Sequence, residues 1–194
     1  MSDRKVLMTG AAGYIAGQLL PTFRKMYDLV LIDVTAENRQ GERVDGVQTA
    51  DLVDSDQSKY AGYFDGVDAV VHLGYVRETG DPIDRFFHEM KNVEMAYNVL
   101  RAAYEGGVQR VAVASSNHAA DWYEHALIHE RKLDMLDPFR LPLSDNFYGW
   151  AKATYEHMGF LFACGRFGSW ADGGQVLGAA ETSRKMGVVM VRIG

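Results

Sequence analysis

A chain of 194 residues, 47% of them hydrophobic and with no linker-like stretch, is long enough to bury one sizeable core, so a single domain over residues 1–194 is expected. Its formal net charge of -6, from 20 Lys and Arg scattered among 26 Asp and Glu, supplies no basic field for nucleic acid. Cys164 is the only cysteine, which excludes an internal disulfide and a Cys-rich metal centre, and the opening run Met1-Ser2-Asp3-Arg4-Lys5 reads as neither signal peptide nor membrane span.

Short β-rich apolar runs alternate with helical patterns along the chain. Strands are predicted at 5–9, 29–33, 47–50, 69–73, 108–115 and 188–193, and helices at 14–26, 83–104 and 148–164, with a shorter one at 175–185. This alternation predicts an α/β fold, a Rossmann-type doubly wound parallel sheet flanked by helices and buried on both faces. Pro21 removes a backbone donor inside the first helix and should kink it. The stretch 117–147 has no clear periodicity, and a loop of that length in a compact domain is usually functional or mobile.

Thr9-Gly10-Ala11-Ala12-Gly13-Tyr14-Ile15-Ala16 follows a predicted strand and opens a predicted helix. Bare N–H groups and the positive end of the helix can there face a pyrophosphate, with Gly10 and Gly13 permitting a tight turn and close approach. Ala16 takes the third small position, with Gly17 beside it as the alternative. A glycine-rich turn that binds nothing is the bland reading. Asp33 shifts the balance, because a carboxylate ending the second strand can accept from both ribose hydroxyls and repels a 2′-phosphate, favouring NAD over NADP. Arg39 is the basic residue nearest to that position and keeps NADP in view. Asp51 and Leu52 follow the third strand, where they can flank the adenine. His72, Leu73 and Gly74 follow the fourth, where His72 reads equally well as structural.

Tyr148 and Lys152 stand four residues apart on a predicted helix and so share one face. A phenol with a pKa of about 10 is a poor base at neutral pH, but an adjacent ammonium favours its phenolate. Ser116, at the end of the fifth strand, can hydrogen-bond a reacting oxygen. A Tyr and a Lys at this spacing are commonly a plain surface pair. The glycine turn and the serine make that the minority reading here.

On these residues the chain resembles the extended short-chain dehydrogenases/reductases, in the NAD-dependent epimerase/dehydratase group, over residues 5–194. Ser115-Ser116-Asn117-His118, Tyr148-Gly149-Trp150-Ala151-Lys152 and Val191-Arg192-Ile193-Gly194 are most similar to the uronate dehydrogenases. The resemblance implies NAD as cofactor, with Gly10, Ala12, Gly13, Tyr14, Ile15, Asp33, Asp51, Leu52, Leu73, Gly74 and Ser115 around it. It implies a catalytic set of Ser116, Tyr148 and Lys152, Lys152 also holding the nicotinamide ribose. Asn117, His118 and Arg192 would meet a sugar and its carboxylate, although an ordinary salt bridge is an equal reading of Arg192. Relatives commonly pair the two long helices with their copies in a second subunit, so a homodimer is expected.

Three departures stand out. Tyr75, Val76 and Arg77 occupy positions near which that family places a small hydroxyl residue, and the segments 119–147 and 166–185 look longer. Arg77 is then either a second anion contact for a larger acidic sugar or a solvated loop residue. Trp122 and Tyr123 either stack on a sugar or pack the insert down, and Asn92 is either structural or simply exposed. Family members normally continue beyond the position of Gly194 into a lobe that closes the substrate pocket, so that lobe is expected to be short or missing.

Three functions stay open on this basis. The leading expectation is a cytoplasmic NAD-dependent dehydrogenase oxidising a hydroxyl, with the anomeric one favoured, of a sugar or sugar acid, with neither a metal nor a membrane involved. A nucleotide-sugar epimerase or dehydratase that retains NAD is the alternative. A non-catalytic NAD-binding sensor or interaction protein is the reading from another class.

Overall fold

The computed structural model describes residues 4–77, 81, 83–165, 169–170, 176–177 and 185–194. Strand β1 (Lys5–Thr9) leaves Leu7, Met8 and Thr9 with no exposed surface. A strand walled on both sides has no solvent face to mark with polar residues, which is why it reads as a continuous apolar run. Helix α1 (Tyr14–Met26) follows and runs through Pro21 as one helix. Next come β2 (Asp28–Asp33), β3 (Val47–Thr49), β4 (Ala69–His72), the long helix α2 (Arg85–Glu105) and β5 (Arg110–Ser116). A short helix α3 (Asp121–Tyr123), helix α4 (Phe147–Cys164), the two-residue strands β6 (Ser169–Trp170) and β7 (Val176–Leu177), and β8 (Gly187–Ile193) complete the described elements.

Six strands form one sheet in the order β3-β2-β1-β4-β5-β8, every neighbouring pair parallel. The order reverses between β1 and β4, which is the expected doubly wound arrangement and opens a crevice at their carboxyl ends. Alternation along β1 sends Leu7 to one side and Met8 to the other. Leu7 joins Val99 and Leu100 of α2 and Tyr155 of α4, while Met8 joins Ala16 and Leu20 of α1. Each such fully buried aliphatic side chain contributes about 1.5–3 kcal/mol. Asn98 of α2, buried, donates to the Leu52 carbonyl at 2.9 Å and ties that helix to the loop after β3.

Two element starts shift by two residues from the sequence reading and part of one expected helix is strand instead, each for a local reason, while the other ends of the expected strands and long helices agree to within one residue. β5 starts at Arg110 rather than 108 because the Val108 N–H closes the end of α2 on the Ala103 carbonyl at 2.9 Å. α2 starts at Arg85 rather than 83 because the Asp81 carboxylate accepts from the Ile83 N–H at 3.0 Å, a turn that holds the chain outside the helix. Val176 and Leu177, expected within a helix at 175–185, instead pair antiparallel with Ser169 and Trp170. The remainder of that expected helix lies outside the described residues, apart from Lys185, which is not helical. The insert carries more structure than its sequence suggests, with short helical turns at Asn117–Ala120, Asp121–Tyr123 and Glu124–Ile128. No helix among the described residues is long and apolar enough to cross a membrane.

Helix α4 is seated by its third residue. The Asn146 side chain accepts from the Gly149 N–H at 2.8 Å as an N-cap, worth about 0.5–2 kcal/mol. A Cβ on Gly149 would collide with the His118 carbonyl oxygen and the Ser144 hydroxyl. Gly149→Ala must therefore push α4 off the turn after β5. We expect it to cost about 1–3 kcal/mol and to lower the melting temperature by roughly 2–12 °C. Thermal unfolding followed by circular dichroism checks this, and an unchanged midpoint would refute the seating argument.

Candidate active site

The ends of β1 and β4 meet through glycines. Gly10 adopts a φ of 67°, and a Cβ there would lie 2.7 Å from the Gly74 nitrogen and the Leu73 carbonyl carbon, so both conformation and space demand glycine. Gly13 donates to the Gly10 carbonyl at 2.9 Å, closing the turn before α1. No side chain caps Gly13 and no acid occupies the first turn of α1, which leaves the positive helix end uncompensated. An anionic group fits there. Ala16 is fully buried whereas Gly17 faces open space, so Ala16 is the closely packed small position. Tyr14 is exposed beside the half-buried Ile15, and the Arg39 guanidinium lies 5.8 Å from the Tyr14 ring centre, within the neighbourhood of the turn.

Asp33 braces this turn. Its Oδ2 accepts from the Ala12 N–H at 2.9 Å and its Oδ1 from the Val34 N–H at 2.7 Å. Asp51 is exposed and accepts from the Val53 N–H at 2.9 Å, while the Leu52 side chain is buried in the core. His72 resolves as structural. It is buried with Nδ1 2.6 Å from the Thr9 hydroxyl, and burial followed by the Lys152 charge pushes it down to about 3, so the imidazole is neutral.

The far side of the crevice is built by β5 and α4. Lys152 is only 5% exposed, and its Nζ donates to the Ala114 carbonyl of β5 at 2.9 Å. The same Nζ lies 5.6 Å from the ring centre of Tyr148, so the four-residue spacing does bring the two together. Burial pushes Lys152 down to about 8, opposed by the charge of Glu89. Ser116 is buried at the end of β5, where its hydroxyl accepts from the His118 N–H at 3.3 Å and donates to Asn117 Oδ1 at 3.2 Å. The His118 ring stands 5.5 Å from the Tyr148 ring, linking the serine turn to the tyrosine.

Asp121 and Glu89 were not legible as site residues. Asp121, buried, receives His118 Nδ1 at 2.6 Å and the Asn146 amide at 2.8 Å, so it orients the histidine. Its spacing of three from His118 was the available signal. Glu89, buried, accepts from the Tyr75 phenol at 2.6 Å. Asn92 is fully buried and bonds both the N–H and the carbonyl of Val76, which settles it as structural. Tyr123 packs the insert down, its hydroxyl donating to the Leu141 carbonyl at 3.1 Å, whereas Trp122 is exposed.

Arg192 sits on β8 opposite Ser115 and grips Glu156 of α4 with two bonds, at 2.7 and 2.6 Å. Ser115 donates to the same carboxylate at 2.8 Å. These three residues thus satisfy one another. Arg77 is exposed.

Residues 6–162 match the NAD dependent epimerase/dehydratase family. The chain is 31% identical over 167 residues to an NAD-dependent glucose-6-phosphate dehydrogenase of Haloferax volcanii, covering 81% of this chain and 62% of that protein. It is also 31% identical over 162 residues to a uronate dehydrogenase of Pseudomonas syringae pv. tomato, covering 81% and 54%. Among solved structures, a mutant uronate dehydrogenase from Agrobacterium tumefaciens complexed with NAD superposes with a TM-score of 0.64 at 25% identity, over 83% of this chain and 57% of that one. The chain therefore spans little more than half the length of these relatives. With its sheet order, its glycine turn and most of its residues inside that family's pattern, this chain belongs to the NAD dependent epimerase/dehydratase family.

Proposed function

We propose that this chain carries the cofactor-binding and hydride-transfer half of an NAD-dependent dehydrogenase that oxidises a hydroxyl, the anomeric one, of a sugar or sugar acid. The observation that carries the reading is the buried Lys152 ammonium beside the Tyr148 ring, on the helix packed against the strand that ends in Ser116. The residues around Gly10 fit a dinucleotide: Gly10 and Gly13 close a tight turn against Gly74, and the α1 terminus offers N–H groups without a side-chain cap to a diphosphate. When bound, NAD supplies the acceptor for the hydride that leaves the substrate carbon.

The chain's own residues handle the proton and the alignment. Tyr148 takes the hydroxyl proton, and the Lys152 ammonium beside its ring offsets the charge that develops there in the transition state. Ser116 donates a hydrogen bond to the reacting oxygen and holds the bond to be broken in line. His118, oriented by Asp121, and Asn117 face the sugar from the same turn. Arg192 already holds Glu156, so a ligand carboxylate there competes with an internal partner or takes the guanidinium's remaining N–H groups. Arg77 serves as a second, peripheral contact for an anionic substrate. The two sequence relatives described above are dehydrogenases named for a sugar phosphate and a sugar acid, which supports oxidation with release of NADH.

The family's description also covers epimerases and dehydratases, in which the hydride returns from the cofactor to the substrate. Net NADH release on adding substrate separates the two. Tyr148→Phe should lower kcat/KM by roughly 10²–10⁴-fold with the fold intact. The assay is absorbance of reduced nicotinamide across a panel of sugars and sugar acids, and a fully active variant removes Tyr148 from the chemistry. Asp33→Ser should weaken NAD binding by roughly 10–100-fold and narrow its preference over NADP, because it takes away a charged acceptor. Titration of both cofactors by protein fluorescence reads this, and unaltered affinities would count against the assignment of Asp33.

A homodimer in the cytoplasm completes the proposal. Phe87, Met90 and Tyr97 on α2 and Met158 on α4 line an open apolar depression of about 520 Å³, which continues past Tyr97 to Leu161 and Phe162. A second copy packing the same two helices would cover it. Tyr97→Glu should then yield a monomer by light scattering at micromolar concentration, and a wild type that is itself monomeric would end this part of the proposal.

A further inference from the structure

Behind Tyr148 and Lys152 lies a polar group that the hydride chemistry does not itself call for. Glu89 of α2 is 2% exposed and accepts at both carboxylate oxygens, from the Tyr75 phenol at 2.6 Å and from the Asn92 amide at 3.3 Å. Tyr75 stands edge-on to Tyr148, with ring centres 5.5 Å apart and planes at 89°. The Lys152 Nζ lies 5.3 Å from the centre of that same Tyr75 ring. One carboxylate therefore locks a ring that touches both members of the proposed catalytic pair.

The groups that face Lys152 are Glu89 from α2, His72 and Tyr75 from β4 and the turn after it, and Tyr148 and Tyr155 from its own helix. His72 is neutral, since burial holds it near 3. Burial, the first cause for both, pushes the Tyr75 and Tyr155 phenols far up, so these two stay protonated. Glu89 is then the carboxylate whose charge acts on the ammonium. A buried carboxylate left alone is unfavourable, and so is a buried ammonium; each offsets the other.

We propose that Glu89 and Tyr75 are positioning residues for the Tyr148–Lys152 pair: Glu89 holds the Tyr75 ring against Tyr148 and supplies the buried counter-charge that keeps the Lys152 ammonium in place. The inference rests on the hydride-transfer reading of Tyr148 and Lys152. Its consequence is a pH limit on activity. Removing the Glu89 charge lets Lys152 lose its proton at lower pH, and the alkaline limb of the rate profile moves with it.

The test measures NADH formation by the full chain from about pH 5.5 to about pH 9.5 for wild type, Glu89→Gln, Glu89→Asp, Tyr75→Phe and Tyr148→Phe. Wild type should show a falling limb near pH 8, where Lys152 titrates. Glu89→Gln should move that limb down by about one unit and reduce kcat roughly tenfold at its former optimum, with KM changed less than kcat. Glu89→Asp should restore most of the limb's position. Tyr75→Phe, which loses only the hydroxyl held by Glu89, should lower kcat several-fold with the fold retained by circular dichroism. If Glu89→Gln does not fold, Tyr75→Phe decides: unchanged kcat overturns the inference. An active wild type that Tyr148→Phe silences, while Glu89→Gln leaves limb and kcat unmoved, overturns this inference and spares the proposed function. A wild type inactive with every sugar and sugar acid overturns that function and this inference with it.

Discussion

Lys152 carries an ammonium into a place where 5% of the residue remains exposed, and the surrounding architecture answers that burial. Desolvating such a charge costs several kcal/mol. The Ala114 carbonyl returns about 1.5–3 kcal/mol as a hydrogen bond to a charged donor, and each ring face about 0.5–2. Three rings, Tyr75, Tyr148 and Tyr155, stand within 6 Å of the nitrogen, Tyr155 closest at 4.8 Å. The compensation is incomplete, since Lys152 falls from 10.5 to about 8, a shortfall on the order of 3 kcal/mol. Such an imbalance fits the role proposed for Lys152.

That one contact also joins the two elements that build the far wall of the crevice. The Ala114 carbonyl belongs to β5, whose last residues lead into the Ser116–His118 turn, and Lys152 belongs to α4, whose Gly149 presses against His118. Helix, strand and turn are thereby held in one register. The opposite wall is fixed with equal economy by backbone: Gly10 lies against Gly74, and Asp33 clamps Ala12. Because the sheet reverses its order between β1 and β4, both walls open toward the same end. A dinucleotide bound along the first wall would thus present its pyridine to the second.

How much of this could be read without coordinates depends on how local each cause is. The bounds of β1 and α1 are set by a two-sided apolar run and by a glycine turn, both visible in a few neighbouring residues, and they came out as expected. The meeting of Tyr148 with Lys152 follows from helix pitch alone. Val108 could not be placed, because its N–H serves α2 rather than β5. Glu89 was invisible for a different reason. A glutamate in a helix ordinarily faces water, and only the fold of the segment after β4 brings the Tyr75 hydroxyl onto it, beside Asn92 one turn along its own helix.

Arg192 shows the same limit from the other side. The family resemblance implied a grip on a substrate carboxylate, with a salt bridge as the equal reading, and Glu156, 36 residues earlier, takes two of its five donors. Ser115 adds a third bond to that carboxylate, so breaking the pair would strand a half-buried anion and a serine together. An arginine neutralised in this way keeps the direction of its remaining N–H groups but little net charge. In the proposed function its contribution to the sugar is therefore orientation through hydrogen bonds, and any discrimination in favour of acids must draw on charge elsewhere in the pocket.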